Sequence, residues 1–79
     1  MNISKVSILD AHTLFIQTEE GKSGLFDITP YLQYEAFSVL NNFNEFKKVR
    51  NGRYYIEWDC GADLSADTIE AHLFSQSHL

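Results

Sequence analysis

The residues best suited to chemistry fall in one stretch. Asp59, Asp63 and Asp67 recur every four residues, Cys60 stands among them, and His72 follows. Three carboxylates facing one cleft would hold a hard cation through oxygen ligands. The run that carries them does not read as one helix, so the four-residue spacing does not place them on one face. The acidic spacing of a calcium loop is absent as well. Turn capping and opposition to a helix dipole account for the three aspartates without a metal. Cys60 and His72 are the residue types of a thiol nucleophile and its base, but no third group is evident to orient them. His72 and His78 lack the i, i+4 spacing of a helical zinc pair. There is no P-loop, no dinucleotide glycine fingerprint and no nucleophile elbow. No catalytic residue, metal or cofactor is expected, and the chain reads as a non-enzyme.

Other residue types suit contact rather than catalysis. Tyrosine anchors many protein interfaces because it offers apolar area and a hydroxyl together. Of Tyr31, Tyr34, Tyr54, Tyr55 and Phe37, the alternation assigns Phe37 and Tyr54 to the core and Tyr31 to a sheet edge. Tyr34 and Tyr55 are left as exposed contacts. With the charges of Asp63 and Asp67 they form the expected partner-binding set. Lys47, Lys48, Arg50 and Arg53 are the one basic group, read as a solvated helix face and turn, with an anion or nucleic-acid contact of a small-molecule or nucleic-acid sensing domain as the alternative. The net charge of −5 argues against a surface that tracks phosphates, so nucleic acid is not an expected partner. A small basic protein suits an acidic chain better. An unpaired edge strand is a second route to a partner.

The elements that must position these residues follow from periodicity. Tyr54, Ile56 and Trp58 alternate with Tyr55 and Glu57, the pattern of a half-buried strand. Asp59-Cys60-Gly61 breaks it, with Gly61 free to take positive φ. A short run at Ala62–Leu64 follows, then Ser65 as an N-cap and a helix from Ala66 to about Ser75. Upstream, strands are expected at Ile3–Leu9, Thr13–Thr18 and Ser23–Ile28, the last two joined as a hairpin through Glu19–Lys22. Thr29 caps a short turn with Pro30 in its first position. Tyr34–Leu40 reads as irregular or a single helical turn. Asn42 caps a helix over Phe43–Lys48, with Phe43, Phe46 and Val49 on one face. Asn51-Gly52 is a two-residue hairpin signal, joining a strand at Lys48–Arg50 to the strand Arg53–Trp58. Turn-separated strands before a helical ending indicate a single α+β domain: a mostly antiparallel sheet of five to six short strands with two helices.

Composition sets the bounds. The 79 residues, 44% hydrophobic and 14% aromatic, suit one globular domain near the lower size limit for a self-sufficient core. Homodimerisation would add buried area to so small a domain. The lone cysteine permits no internal disulfide and fits a reducing compartment. No apolar run approaches the roughly 20 residues that span a bilayer. The first residues lack the layout of a secretory leader. A cytoplasmic protein without membrane contact is expected.

One ordered set of motifs carries a resemblance. Ile56, Trp58, Gly61, Asp63, Leu64 and Asp67 stand as I-x-W-x-x-G-x-D-L-x-x-D. Phe26-Asp27-Ile28-x-Pro30, Phe37-x-x-Leu40 and Phe46-x-x-Val49 precede it. In order and spacing this resembles the small bacterial family DUF2442, over about residues 3 to 70. Glu70 departs from the pattern, which has an aromatic residue there. The resemblance implies an α+β fold and a cytoplasmic protein of uncharacterised activity. It further implies an interaction role, since some members are encoded beside a second small protein in an arrangement like a toxin–antitoxin pair. Other members carry a helix-turn-helix domain after this module. None is present in these residues, so reading of DNA by that route is not expected.

Overall fold

A computed structural model describes residues 2–75. Along the chain its elements are β1 (Ile3–Ile8), β2 (Thr13–Thr18), β3 (Ser23–Asp27), 3-10 turns at Thr29–Tyr31 and Glu35–Asn41, α1 (Phe43–Phe46), β4 (Arg50–Asn51), β5 (Tyr55–Glu57), β6 (Asp63–Ser65), α2 (Ala66–Ala71) and β7 (Phe74–Ser75). The class is α+β, and every strand pair is antiparallel. The strands divide into two sheets, ordered β1-β2-β3-β7 and β4-β5-β6.

The first sheet is built by alternation. Leu14 pairs with Phe26 and Ile16 with Gly24, and these inward positions are buried while Gln17 and Ser23 face water. Asp10 tightens the β1–β2 turn by accepting the His12 backbone N–H at 2.9 Å. That bond first, and the Thr13 hydroxyl next, hold the Asp10 carboxyl below its ordinary range. Gly21, at φ +94°, turns β2 into β3 where a side chain would be strained.

The second sheet is built around a tight loop. The Trp58 N–H donates to the Ala62 carbonyl at 2.9 Å, and the Gly61 N–H donates back to Trp58 at 3.0 Å. Gly61 closes this loop at φ +97°, the conformation glycine reaches most cheaply. The result sets Ile56 opposite Leu64 on the buried side.

Trp58 ties the halves together. Its Nε1–H donates to the Phe46 carbonyl at 2.8 Å in the interior. Its ring lies 6.2 Å from Phe46 and 6.4 Å, edge-on, from Phe37. Phe37 continues to Tyr31 at 5.5 Å, and Tyr31 to Phe26 of the first sheet at 5.9 Å. A second joint lies at the surface. The Ile3 N–H donates to Arg53 at 2.7 Å, and the Asn51 side chain donates to Ile3 at 2.9 Å. This edge of β1 is thus closed by the β4–β5 hairpin.

Several boundaries differ from expectation. The last helix stops at Ala71, and the chain turns extended at Phe74 to pair with Leu25. A pairing partner on β3 wins over weak helix propensity. Helix α1 is one turn, ending at Phe46, and Phe43 stays exposed rather than joining Phe46 in the core. The strand expected at Lys48–Arg50 lies at Arg50–Asn51. The hairpin bend falls at Arg53-Tyr54, closed by the Gly52 N–H on the Tyr55 carbonyl at 2.8 Å. Arg53 takes the left-handed φ of +77°, helped by the Asn51 side chain, which accepts its N–H at 2.7 Å. Tyr54 at the bend is 62% exposed, not core. At the first 3-10 turn Thr29 is the first residue rather than the cap; Ile28 holds the N-cap position, and Asp27 before it accepts the Thr29 N–H at 2.8 Å. Ser65 and Asn42 cap as expected, accepting from Thr68 and Asn44.

Removing the Trp58 ring should leave a cavity and take from the Phe46 carbonyl the shorter of its two hydrogen bonds, leaving the Val49 N–H at 3.3 Å. Trp58→Ala is expected to lose about 3–5 kcal/mol, enough to unfold most of a domain this small. Trp58→Phe should lose less, on the order of 1–3 kcal/mol, because it keeps an aromatic ring in the stack while losing the pyrrole part of the indole and its hydrogen bond. Thermal unfolding followed by circular dichroism checks both; an unchanged midpoint in Trp58→Ala would contradict the assignment.

Candidate functional site

The residues most suited to contact collect on the outward face of the second sheet. Strand alternation buries Ile56 and Leu64 and turns Tyr55, Glu57, Asp63 and Ser65 outward. Pairing then makes rows. Arg50, Glu57 and Asp63 lie side by side across β4, β5 and β6, and Tyr55 faces Ser65 in the next row but one.

Arg50 is held within this face. Its guanidinium pairs with Asp59 and lies 3.8 Å from Glu57. The hydrogen bond to Asp59 is the main reason its pKa is raised further. Asp59, expected to cap its turn, instead serves as this counter-charge. One guanidinium thus stands among three carboxylates, those of Glu57, Asp59 and Asp63, so the face is net negative.

Tyr55 is positioned by a glycine. A Cβ on Gly52 would lie 2.3 Å from the Tyr55 ring, so only a residue without one lets the ring lie there. Tyr55 remains 40% exposed, with its ring seated on the backbone. The cross-strand neighbourhood therefore fixes an aromatic surface beside an acidic one.

The four expected contact residues divide. Tyr55 and Asp63 share the sheet face. Asp67 is exposed in the first turn of α2, directly after β6, where a carboxylate opposes the positive end of the helix. Tyr34 is 56% exposed but belongs to the segment between the two 3-10 turns, not to the β4-β5-β6 face. Three exposed apolar residues escaped the sequence reading: Leu9 at 52%, Val39 at 43% and Phe43 at 46%. Phe43 was expected on a helical face with Phe46 and Val49, which the single turn of α1 does not bury, and Val39 lies in a segment read as irregular or a single helical turn.

The other constellations do not assemble. Among the described residues no group of three His, Cys, Asp or Glu side chains could hold a metal. Cys60 and His72 are both exposed, one in the β5–β6 loop and the other capping α2. His78 lies outside the described residues. In the basic group, Lys48 pairs with Glu45 at 3.2 Å, Arg53 with Glu19 at 3.0 Å, and Arg50 with Asp59. Cations paired within the fold offer a poor track for phosphates. Among the described residues no helix is long and apolar enough to cross a membrane.

Comparison with known families agrees with the motif order. A family model described as "Protein of unknown function (DUF2442)" matches residues 3–75. The chain belongs to this family. No curated protein and no solved structure matches it.

The seating of Tyr55 on Gly52 is testable by a double-mutant cycle. Gly52→Ala should lose about 1–3 kcal/mol through overpacking. In a Tyr55→Ala background the same change should fall within about 0.5 kcal/mol of neutral. Urea unfolding of the four proteins measures this, and an equal loss in both backgrounds would refute the contact.

Proposed function

We propose that this member of the DUF2442 family is a non-catalytic protein-interaction module that binds a small basic protein in the bacterial cytoplasm. The observation that carries the reading is the outward face of β4-β5-β6. It sets the half-exposed Tyr55 ring beside a net-negative group of Glu57, Asp59 and Asp63. An aromatic anchor flanked by carboxylates complements a basic surface: the ring supplies buried area, and the charges steer encounter and exclude acidic competitors. Asp67 extends the negative charge past the end of β6, and Tyr34 adds aromatic surface at a second place. Masking a basic partner in this way suits an antitoxin-like role.

The test is affinity capture from the native host with wild-type protein and two variants. Wild type should retain one stoichiometric small basic protein. Tyr55→Ala should weaken the complex by on the order of 30-fold, as loss of an interface anchor does. Asp63→Lys should slow association and flatten its salt dependence. Wild type that captures nothing, or variants that bind as wild type does, would contradict the proposal.

A further inference from the structure

A cleft of ≈ 400 Å³ opens between the first 3-10 turn and the end of α2, lined by Asp27, Pro30, Tyr31, Ala71, His72 and Leu73. None of these residues belongs to the β4-β5-β6 face. Its volume is within the roughly 300–1,000 Å³ typical of small-ligand sites, toward the lower end.

The lining is chemically specific. Pro30, Ala71, Leu73 and the Tyr31 ring make apolar walls. Among the described residues Asp27 supplies the one carboxylate, and neither lysine nor arginine lines the space. Asp27 is partly buried, and its Oδ1 is committed to the Thr29 backbone N–H at 2.8 Å. That bond orients the carboxylate and leaves its other oxygen for a ligand. Tyr31 is fixed in place between Phe26 and Phe37. Its remaining ring surface offers a cation a second favourable contact. The exposed His72 imidazole adds a polar ring to the same lining.

We propose that this cleft binds a singly charged organic cation on an apolar stem, an alkylguanidinium or alkylammonium group. The stem lies along Pro30, Ala71 and Leu73, and the charged head meets Asp27 beside the Tyr31 ring. One carboxylate balances one positive charge. An anion would face Asp27 with no cation to offset it, and a wholly apolar ligand would leave the carboxylate desolvated.

The probes are n-butylguanidinium and, as its neutral counterpart, n-pentanol, titrated into the full chain and followed by two-dimensional amide NMR. Butylguanidinium should shift the signals of Asp27, Tyr31, Ala71, His72 and Leu73 saturably, and pentanol should bind at least about tenfold more weakly. Asp27→Asn keeps an oxygen for the Thr29 N–H and should weaken butylguanidinium about tenfold while leaving pentanol unchanged. Ala71→Leu, on the exposed end of α2, should fill the cleft and abolish binding of both with the fold intact. N-acetylarginine methylamide separates the sources of the cation. Binding well above that of butylguanidinium identifies a protein side chain, and equal binding identifies a free small molecule; either upholds the site. Absence of saturable shifts with butylguanidinium, equal binding of pentanol, or an unaffected Asp27→Asn would overturn it.

Discussion

The structure depends on one buried hydrogen bond inside an aromatic stack. The Trp58 indole donates to the carbonyl that ends α1, and its ring packs against Phe46 and Phe37. The bond joins residues twelve apart in sequence, linking the short helix to the second sheet. Burying an indole removes roughly 150–250 Å² from water. A polar ring atom placed there would be costly if unpaired, so the bond also fixes which way the ring lies. Because the stack runs on through Phe37 and Tyr31 to Phe26, the same side chain connects the two sheets.

A chain this short has little interior to divide. Two sheets that each buried one face separately would have too few apolar residues apiece. The solution is one shared core, with Ile3, Leu14, Ile16 and Phe26 from the first sheet meeting Ile56, Trp58, Leu64 and Ile69 from the second sheet and α2. The Ile3–Arg53 and Asn51–Ile3 bonds then seal the rim where the sheets meet. Function is left to the surfaces this arrangement exposes. The outward face of the second sheet carries Tyr55 and the carboxylates, and the cleft beside Tyr31 opens at the far end of the aromatic stack.

Much of this was legible in the sequence where local chemistry decided the outcome. Alternation located the strands that alternate cleanly, Gly61 marked a turn that needs positive φ, and Ser65 and Asn42 marked caps. The α+β class followed from that order. What escaped was set by contacts distant in sequence. Nothing local ends α2 at Ala71; the pairing of Phe74 with Leu25 does. Nothing local exposes Tyr54, because its burial depended on where the Asn51-Gly52 hairpin bends, and the bend lies two residues later. The site was half legible. The types of Tyr55 and Asp63 suggested contact, but the sharing of one face, the glycine under Tyr55 and the Arg50–Asp59 pair are properties of the pairing register. The Asp27–Tyr31 cleft gave no sequence signal, since its two walls are separated by the whole of the second sheet.

The central claim, that the Trp58–Phe46 bond joins the fold, is tested most directly by hydrogen exchange of the indole N–H as a function of urea. If the bond is the joint, the indole proton exchanges only through global unfolding, with the same free energy and urea slope as the core amides of β2 and β5. Rapid exchange with a shallow slope, while those amides stay protected, would show that Trp58 opens locally and that the sheets hold together without it.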